Sequence, residues 1–218
     1  MEKLTTPEPR VILIDKPLEW TSFDVVKKLR SKLGIKKIGH AGTLDPLATG
    51  LLILCTGKMT KKIESIQAQE KEYEGSFTIG QTTPSFDLET KPTPPVSYNH
   101  IKNEDILNAT KLYIGNITQT PPIYSAVKVN GKRAYESARA GVEIKLKTRE
   151  VLINKFEITD INLPVIKFKV VCSKGTYIRS LANDFGKTLG VGAFLSALRR
   201  TRIGEFKISN ALTIEEVE

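Results

Sequence analysis

Residues 39–50 read GHAGTLDPLATG, and the next five, Leu51 to Cys55, are all apolar. No other stretch restricts the fold as tightly. Glycines at 39, 42 and 50 permit sharp turns and close approach by another backbone or a ligand. Pro46 biases Asp45 toward extended or polyproline geometry, so a helix does not run easily through it. The apolar run that follows is far too short to span a bilayer and reads as a buried central strand. A turn anchored on such a strand is where loop chemistry is commonly placed. Asp45 is the only carboxylate between Asp24 and Glu64. Two readings are open for it. It either projects into a cleft, or it forms an Asx-turn and merely accepts backbone hydrogens.

The rest of the chain alternates strands and helices without a strict βαβ rhythm. Strands are expected at Val11 to Asp15, through the Leu51 run, over "YEGSFTIG", at Arg149 to Ile158, Val165 to Cys172, and last at Ile203 to Ile208. Helices are expected from Thr21 or Ser22 to Leu33, with Gly34 after it, and from Thr60 to Gln67. Further helices are expected from an Asn103 cap toward Gly115, over Ala134 to Ala140, and over Tyr177 to Leu189. Thr82 to Tyr98 holds four prolines and reads as a loop. Asn130-Gly131 signals a hairpin. This pattern predicts an α+β fold with a mixed sheet.

The charge balance narrows the partners. Lys and Arg outnumber Asp and Glu 33 to 24, a net charge of +9. Such an excess favours a polyanion, nucleic acid before membrane. Two cysteines far apart in sequence form neither a disulfide framework nor a CxxC pair, which points to a reducing cytoplasm. The N-terminus has no apolar region of the signal-peptide type. Gly57-Lys58 lacks the glycine of a phosphate-binding P-loop. His40, His100 and the two cysteines have no zinc-ligand spacing. No nucleophile elbow supports a Ser-His-Asp reading.

A second informative stretch is "CSKGTYIRS", Cys172 to Ser180. A strand ends, a Lys-Gly turn follows, and Tyr177 and Arg179 open a helix. Arg179 is a candidate counter-ion for Asp45, since a close guanidinium favours the ionised carboxylate. It is equally compatible with a surface arginine on a basic helix. Tyr73 is either a core aromatic at a strand edge or a stacking platform for a base.

Five segments, "DKPLEWTSFDVV", "GHAGTLDPLATGLLILCTGKMTK", "KEYEGSFTIGQTT", "YSAVKVNGKRAYESARAG" and "CSKGTYIRSLANDFGKTLG", resemble in order the motifs of TruB-type tRNA pseudouridine synthases. The resemblance covers about residues 10 to 210. It implies the pseudouridine-synthase fold, with a mixed, mainly antiparallel sheet flanked by helices and loops and a catalytic cleft along the sheet. It implies isomerisation of uridine 55 in the T-arm loop of tRNA, with no metal and no organic cofactor. The family's catalytic aspartate falls on Asp45. Its RNA-contacting histidine falls on His40, and the tyrosine that stacks on the base on Tyr73. The tyrosine and arginine of its Lys-Gly-Thr-Tyr-Ile-Arg motif fall on Tyr177 and Arg179, and its pocket leucine on Leu198. Lys16 and Pro17 match a Lys-Pro that packs by the active site.

Two departures from the family pattern stand out. Glu19 occupies a position usually held by glycine. The family's small RNA-binding domain after the core has no counterpart before Glu218, so residues 1–218 are expected to form a single catalytic domain, core about 10–210. A basic arm at about 125–148 is expected to grip the T-arm, with no membrane and no obligate protein partner. The alternative function is a non-catalytic tRNA-binding or tRNA-folding protein on the same scaffold.

Overall fold

The computed structural model describes residues 8–125, 127–129, 131–142, 144 and 146–218. They form an α+β fold with eleven strands and five α-helices, gathered into two compact units. The first unit takes the chain up to Tyr73 and resumes at Leu198–Glu218, and the second is Glu74–Ala197. The chain passes from one unit to the other within β4 (Lys71–Ile79) and β10 (Ala193–Ile203).

In the first unit β3 (Ala48–Thr56) is central. β1 (Val11–Lys16) lies antiparallel along one edge, from Val11 opposite Cys55 to Lys16 opposite Gly50. The other edge is shared by β2 (Ile38–His40), antiparallel, and by Leu198–Arg200 of β10, parallel. The period of two explains the apolar run. Leu52 and Leu54 pack with Ile12, Ile14 and the Val25, Val26 and Leu29 face of α1 (Ser22–Lys32). Leu51, Ile53 and Cys55 enter a second cluster with Ala41, Ile66 and Ile203. Fully burying each such side chain contributes about 1.5–3 kcal/mol.

Helix α1 begins as its sequence dictates. The Thr21 hydroxyl accepts from the Asp24 amide, and the Asp24 carboxylate accepts from the Thr21 amide. This reciprocal cap satisfies two donors that a helix start leaves open. Gly34, at φ 63°, ends the helix. α2 (Ile63–Ala68) is preceded by a 3₁₀ segment, Gly57–Lys62, where the sequence predicts α-helix from Thr60.

The second unit contains β5 (Gly115–Gln119), β8 (Arg149–Asn162) and β9 (Val165–Cys172), with β8 antiparallel to both of the others. Phe77 and Phe168 stack with centroids 4.2 Å apart, and Phe156 and Phe185 pack edge-on or tilted around them. Phe185 is supplied by α5 (Ile178–Thr188). Helix α3 (Asn103–Lys111) takes the predicted cap Asn103 as its first helical residue, because Lys102 is the capping position, and it ends before the expected Gly115. β6 (Lys128–Val129) and β7 (Lys132–Arg133) pair antiparallel and lead into α4 (Ala134–Arg139). The predicted turn residue Asn130 lies outside the described residues.

The end of the chain departs from expectation. The predicted strand at Ile203–Ile208 is instead the close of β10, a turn, and the two-residue β11 (Phe206–Lys207), with a 3₁₀ turn from Ile208. β10 itself, β2 and β5 are strands that the sequence pattern does not reveal. No helix among the described residues is long and apolar enough to cross a membrane.

Candidate active site

The turn that carries Asp45 is pinned from three sides within the first unit. Its entry is β2, after which the Ala41 amide donates to the Ile53 carbonyl. At its apex the Ser22 hydroxyl donates to the Leu44 carbonyl (3.1 Å) and accepts from the Leu44 amide (2.8 Å). The start of α1 therefore grips the residue before Asp45. After it, the Ala48 amide donates to the Asp45 carbonyl, and β3 begins. The Asp45 side chain is half-buried.

Two fully buried cations lie beneath this turn. Lys16, at the end of β1, donates through Nζ to the carbonyls of Pro17 (2.9 Å), Trp20 (2.5 Å) and Pro46 (3.3 Å). Arg200, on β10, donates to the carbonyls of Leu51, Gly42 and Thr43. The acid next to Lys16 in sequence, Asp15, is engaged by a two-pronged Arg199 contact at 3.0 and 2.6 Å. The Lys16 ammonium is lowered from 10.5 to about 8, first by burial, an effect that Asp45 opposes, Arg200 reinforces and Asp24 opposes. His40, half-buried at the end of β2, is also held below its ordinary value, first by burial and then by the Arg200 charge. This favours the neutral imidazole, which offers hydrogen bonds rather than charge.

Gly50 shows why this position requires glycine. It sits at φ 97°, and a Cβ there would lie 2.4 Å from the Arg200 carbonyl. The parallel pairing of Gly50 with Arg200 would be lost with any side chain. Glu19 adopts φ 67°, the left-handed conformation that glycine takes freely. Glu19 thus holds a conformation open to glycine, and its amide donates to the Pro46 carbonyl. Leu198, opposite Ala48, is half-buried, and Tyr73 on β4 is 9% exposed.

In the second unit Tyr177 caps α5 by its backbone. The Gln119 side chain accepts from the Tyr177 amide (3.0 Å) and donates to its carbonyl (3.2 Å). The Arg149 guanidinium lies 5.2 Å from the Tyr177 ring centre, within cation–π range. Arg179 is 4% exposed, so it is no surface arginine. Its Nε is 3.6 Å from the buried Asp87 carboxylate, and Nη1 donates to the carbonyls of Ser85 and Tyr124. Asp87 in turn accepts from the Glu89 amide.

The structure thus places Lys16, His40, Asp45, Tyr73 and Leu198 in the first unit, and Tyr177 and Arg179 in the second. Sequence reasoning misses Arg200, Ser22, Asp87 and Gln119 as supports of these residues. Only the paired arginines after Leu198 gave a signal, and they do not say which one is buried. Among the described residues no group of three or more His, Cys, Asp or Glu could hold a metal ion.

Comparison with known proteins gives a consistent answer. Residues 30–178 match the TruB family pseudouridylate synthase N-terminal domain, and residues 179–218 match the tRNA pseudouridylate synthase B C-terminal domain. The chain is 55% identical to tRNA pseudouridine synthase B of Flavobacterium johnsoniae, over 95% of this chain and 93% of the relative. It is 51% identical to that of Parabacteroides distasonis, over 95% and 91%. Among solved structures it is similar to a chain of a Cbf5-Nop10-Gar1 complex, with TM-score 0.75 and 31% identity over 94% of this chain. It spans about half of that solved chain, 52%. The long match at high identity means that the chain belongs to the TruB family of pseudouridylate synthases.

Proposed function

We propose that Asp45 is the group through which this chain performs its family's reaction. The chain is an isomerase that makes pseudouridine 55 in tRNA. The reaction breaks the bond from C1′ to N1 of uracil, turns the base, and joins C1′ to C5. The C5 proton is lost and N1 gains one, so the composition is unchanged. An ionised carboxylate serves this by bonding to the sugar or the base, or by stabilising positive charge at C1′. The observation that carries the assignment is the turn itself. A half-buried carboxylate stands on a backbone fixed by Ser22, Lys16 and Arg200, and the Lys16 cation senses its charge.

The other residues take roles around it. Tyr73 stacks on the flipped base, an interaction worth about 1–3 kcal/mol, against an unstacking cost of a few kcal/mol. Neutral His40 contacts the RNA and helps hold the base out. Leu198 supplies an apolar wall that keeps water from capturing the freed sugar, which would leave an abasic site. Tyr177 and Arg179 belong to the same reaction through their motif, with Arg179 held in place by Asp87. The T-arm stem-loop is the part of tRNA engaged, gripped by the basic arm at about 125–148. Cys55 and Cys172, both buried and neither in a disulfide, suit a reducing cytoplasm. No protein partner or cofactor enters this reading.

The test is to incubate the protein with unmodified tRNA and map pseudouridine at single-nucleotide resolution. Wild type converts position 55. Asp45→Asn is expected to give no product while binding tRNA within a few-fold, since phosphate contacts supply most of the affinity. Product from the pure mutant would remove Asp45 from the chemistry.

A further inference from the structure

We infer that Arg200 is a positioning residue for Asp45, its buried guanidinium clamping both ends of the turn that carries the carboxylate. The inference rests on the reading of Asp45 as the reacting group. Arg200 is 1% exposed, and each guanidinium nitrogen donates to a different carbonyl. Nη2 reaches Gly42 at 3.1 Å, Nη1 reaches Thr43 at 3.4 Å, and Nε reaches Leu51 at 2.8 Å. Gly42 and Thr43 enter the turn, and Leu51 leaves it. The main chain of Arg200 holds the same turn through its parallel pairing with Gly50. One residue therefore fixes the turn by both its backbone and its side chain.

Stability alone gives no reason for an arginine here. None of the ion pairs among the described residues involves Arg200. Taking such a charge out of water carries a penalty that carbonyl contacts only partly offset, and an apolar side chain of similar volume fills such space without it. What an apolar side chain lacks is the planar fork that holds three carbonyls at fixed angles. Lysine, a point charge on a flexible stem, lacks it too. Arg200 also places a fixed positive charge beside the site. It lowers the proton affinity of His40, whose other polar neighbour is the Gly42 backbone. It lowers that of Lys16 as well, which Asp45 and Asp24 raise.

The experiment compares Arg200→Met and Arg200→Lys with wild type in three readings. These are the single-turnover rate on saturating tRNA, the tRNA dissociation constant, and the His40 titration by proton NMR. The chain has only two histidines, so the titration can be assigned. Both variants are expected to lose about a hundredfold in rate, the scale set by misplacing a reacting group by about 1 Å. Affinity stays within a few-fold. The His40 midpoint rises in Arg200→Met and stays in place in Arg200→Lys, a split that loss of packing would not produce. A full rate in Arg200→Lys, or a rate loss matched by lost affinity, overturns the inference. If Arg200→Met fails to fold, the rate of Arg200→Lys at unchanged affinity decides. Asp45→Asn is measured alongside. Turnover by that variant removes the reading of Asp45, whereas a dead Asp45→Asn beside a fast Arg200→Lys removes only the positioning role.

Discussion

The two units treat buried positive charge in opposite ways. In the second, Arg179 faces the Asp87 carboxylate at 3.6 Å, and a backbone amide steadies Asp87. In the first, Lys16 and Arg200 direct their hydrogen bonds to six carbonyls of the turns around Asp45. An ion pair neutralises locally and fixes one side chain against another. Carbonyl-bound cations instead shape a backbone and leave a positive field, which Lys16 and His40 register. The ion pair suits a residue that must be held still. The carbonyl-bound cations suit a turn that must hold its carboxylate in place.

The largest expected effect comes from making the second cluster resemble the first. Asp87→Ala removes the carboxylate that faces buried Arg179. Breaking a buried pair by removing one partner costs about 3–5 kcal/mol, so urea unfolding should show a loss of that order. A loss under about 1 kcal/mol would mean that Arg179 is as self-sufficient as Arg200.

Next comes the pH response of Lys16. Its folded value, about 8, lies below its ordinary 10.5. Between those values the unfolded chain binds more protons than the folded one, so stability rises with pH over that window. Activity moves the other way. The neutral amine has two N–H groups for three carbonyls and no longer attracts Asp45. We expect kcat/KM to fall with a midpoint near pH 8 while unfolding free energy rises relative to Lys16→Met. Parallel changes in both would show that Lys16 acts through stability alone.

Neutralising Lys132 and Arg133 probes the proposed basic arm. It should weaken tRNA binding and flatten its salt dependence by about 0.7–0.9 in log–log slope per lost phosphate contact. An unchanged slope would take the arm out of the interface. The smallest effect is Glu19→Gly. A left-handed non-glycine residue carries about 1–2 kcal/mol of strain, and glycine gives back roughly 0.5–1 kcal/mol in chain entropy. A melting-temperature rise of a few degrees or less is expected, with unchanged turnover. A fall would show that the Glu19 side chain contributes to the turn.

What the sequence made legible was local. The Thr21 cap, the stop at Gly34 and the covered strand after Gly50 follow from neighbours within a few residues. The glycine-rich turn was visible as a turn, and its motif named Asp45. β10 was hidden because its alternation is broken by Arg199, Arg200 and Arg202, whose partners are remote. Arg199 finds Asp15 184 positions away, and Arg202 finds Glu70 132 positions away. Asp87 sat in a proline-rich stretch that reads as loop, and Arg179 reaches that loop at Ser85 across 94 positions. Nothing in a local window distinguishes the arginine that becomes fully buried from its half-buried neighbour.

The pairing of β3 with β10 also sets a timetable for synthesis. Leu51 and Arg200 are 149 residues apart. At about 5–20 residues per second the ribosome needs roughly 7–30 s to make the intervening chain. Until then the nascent N-terminal segment carries β1, α1 and β3 but no guanidinium under the Asp45 turn, and one edge of β3 is incompletely paired. The second unit, continuous in sequence, is complete first. The first unit therefore cannot close around its Asp45 turn until the β10 segment has been made.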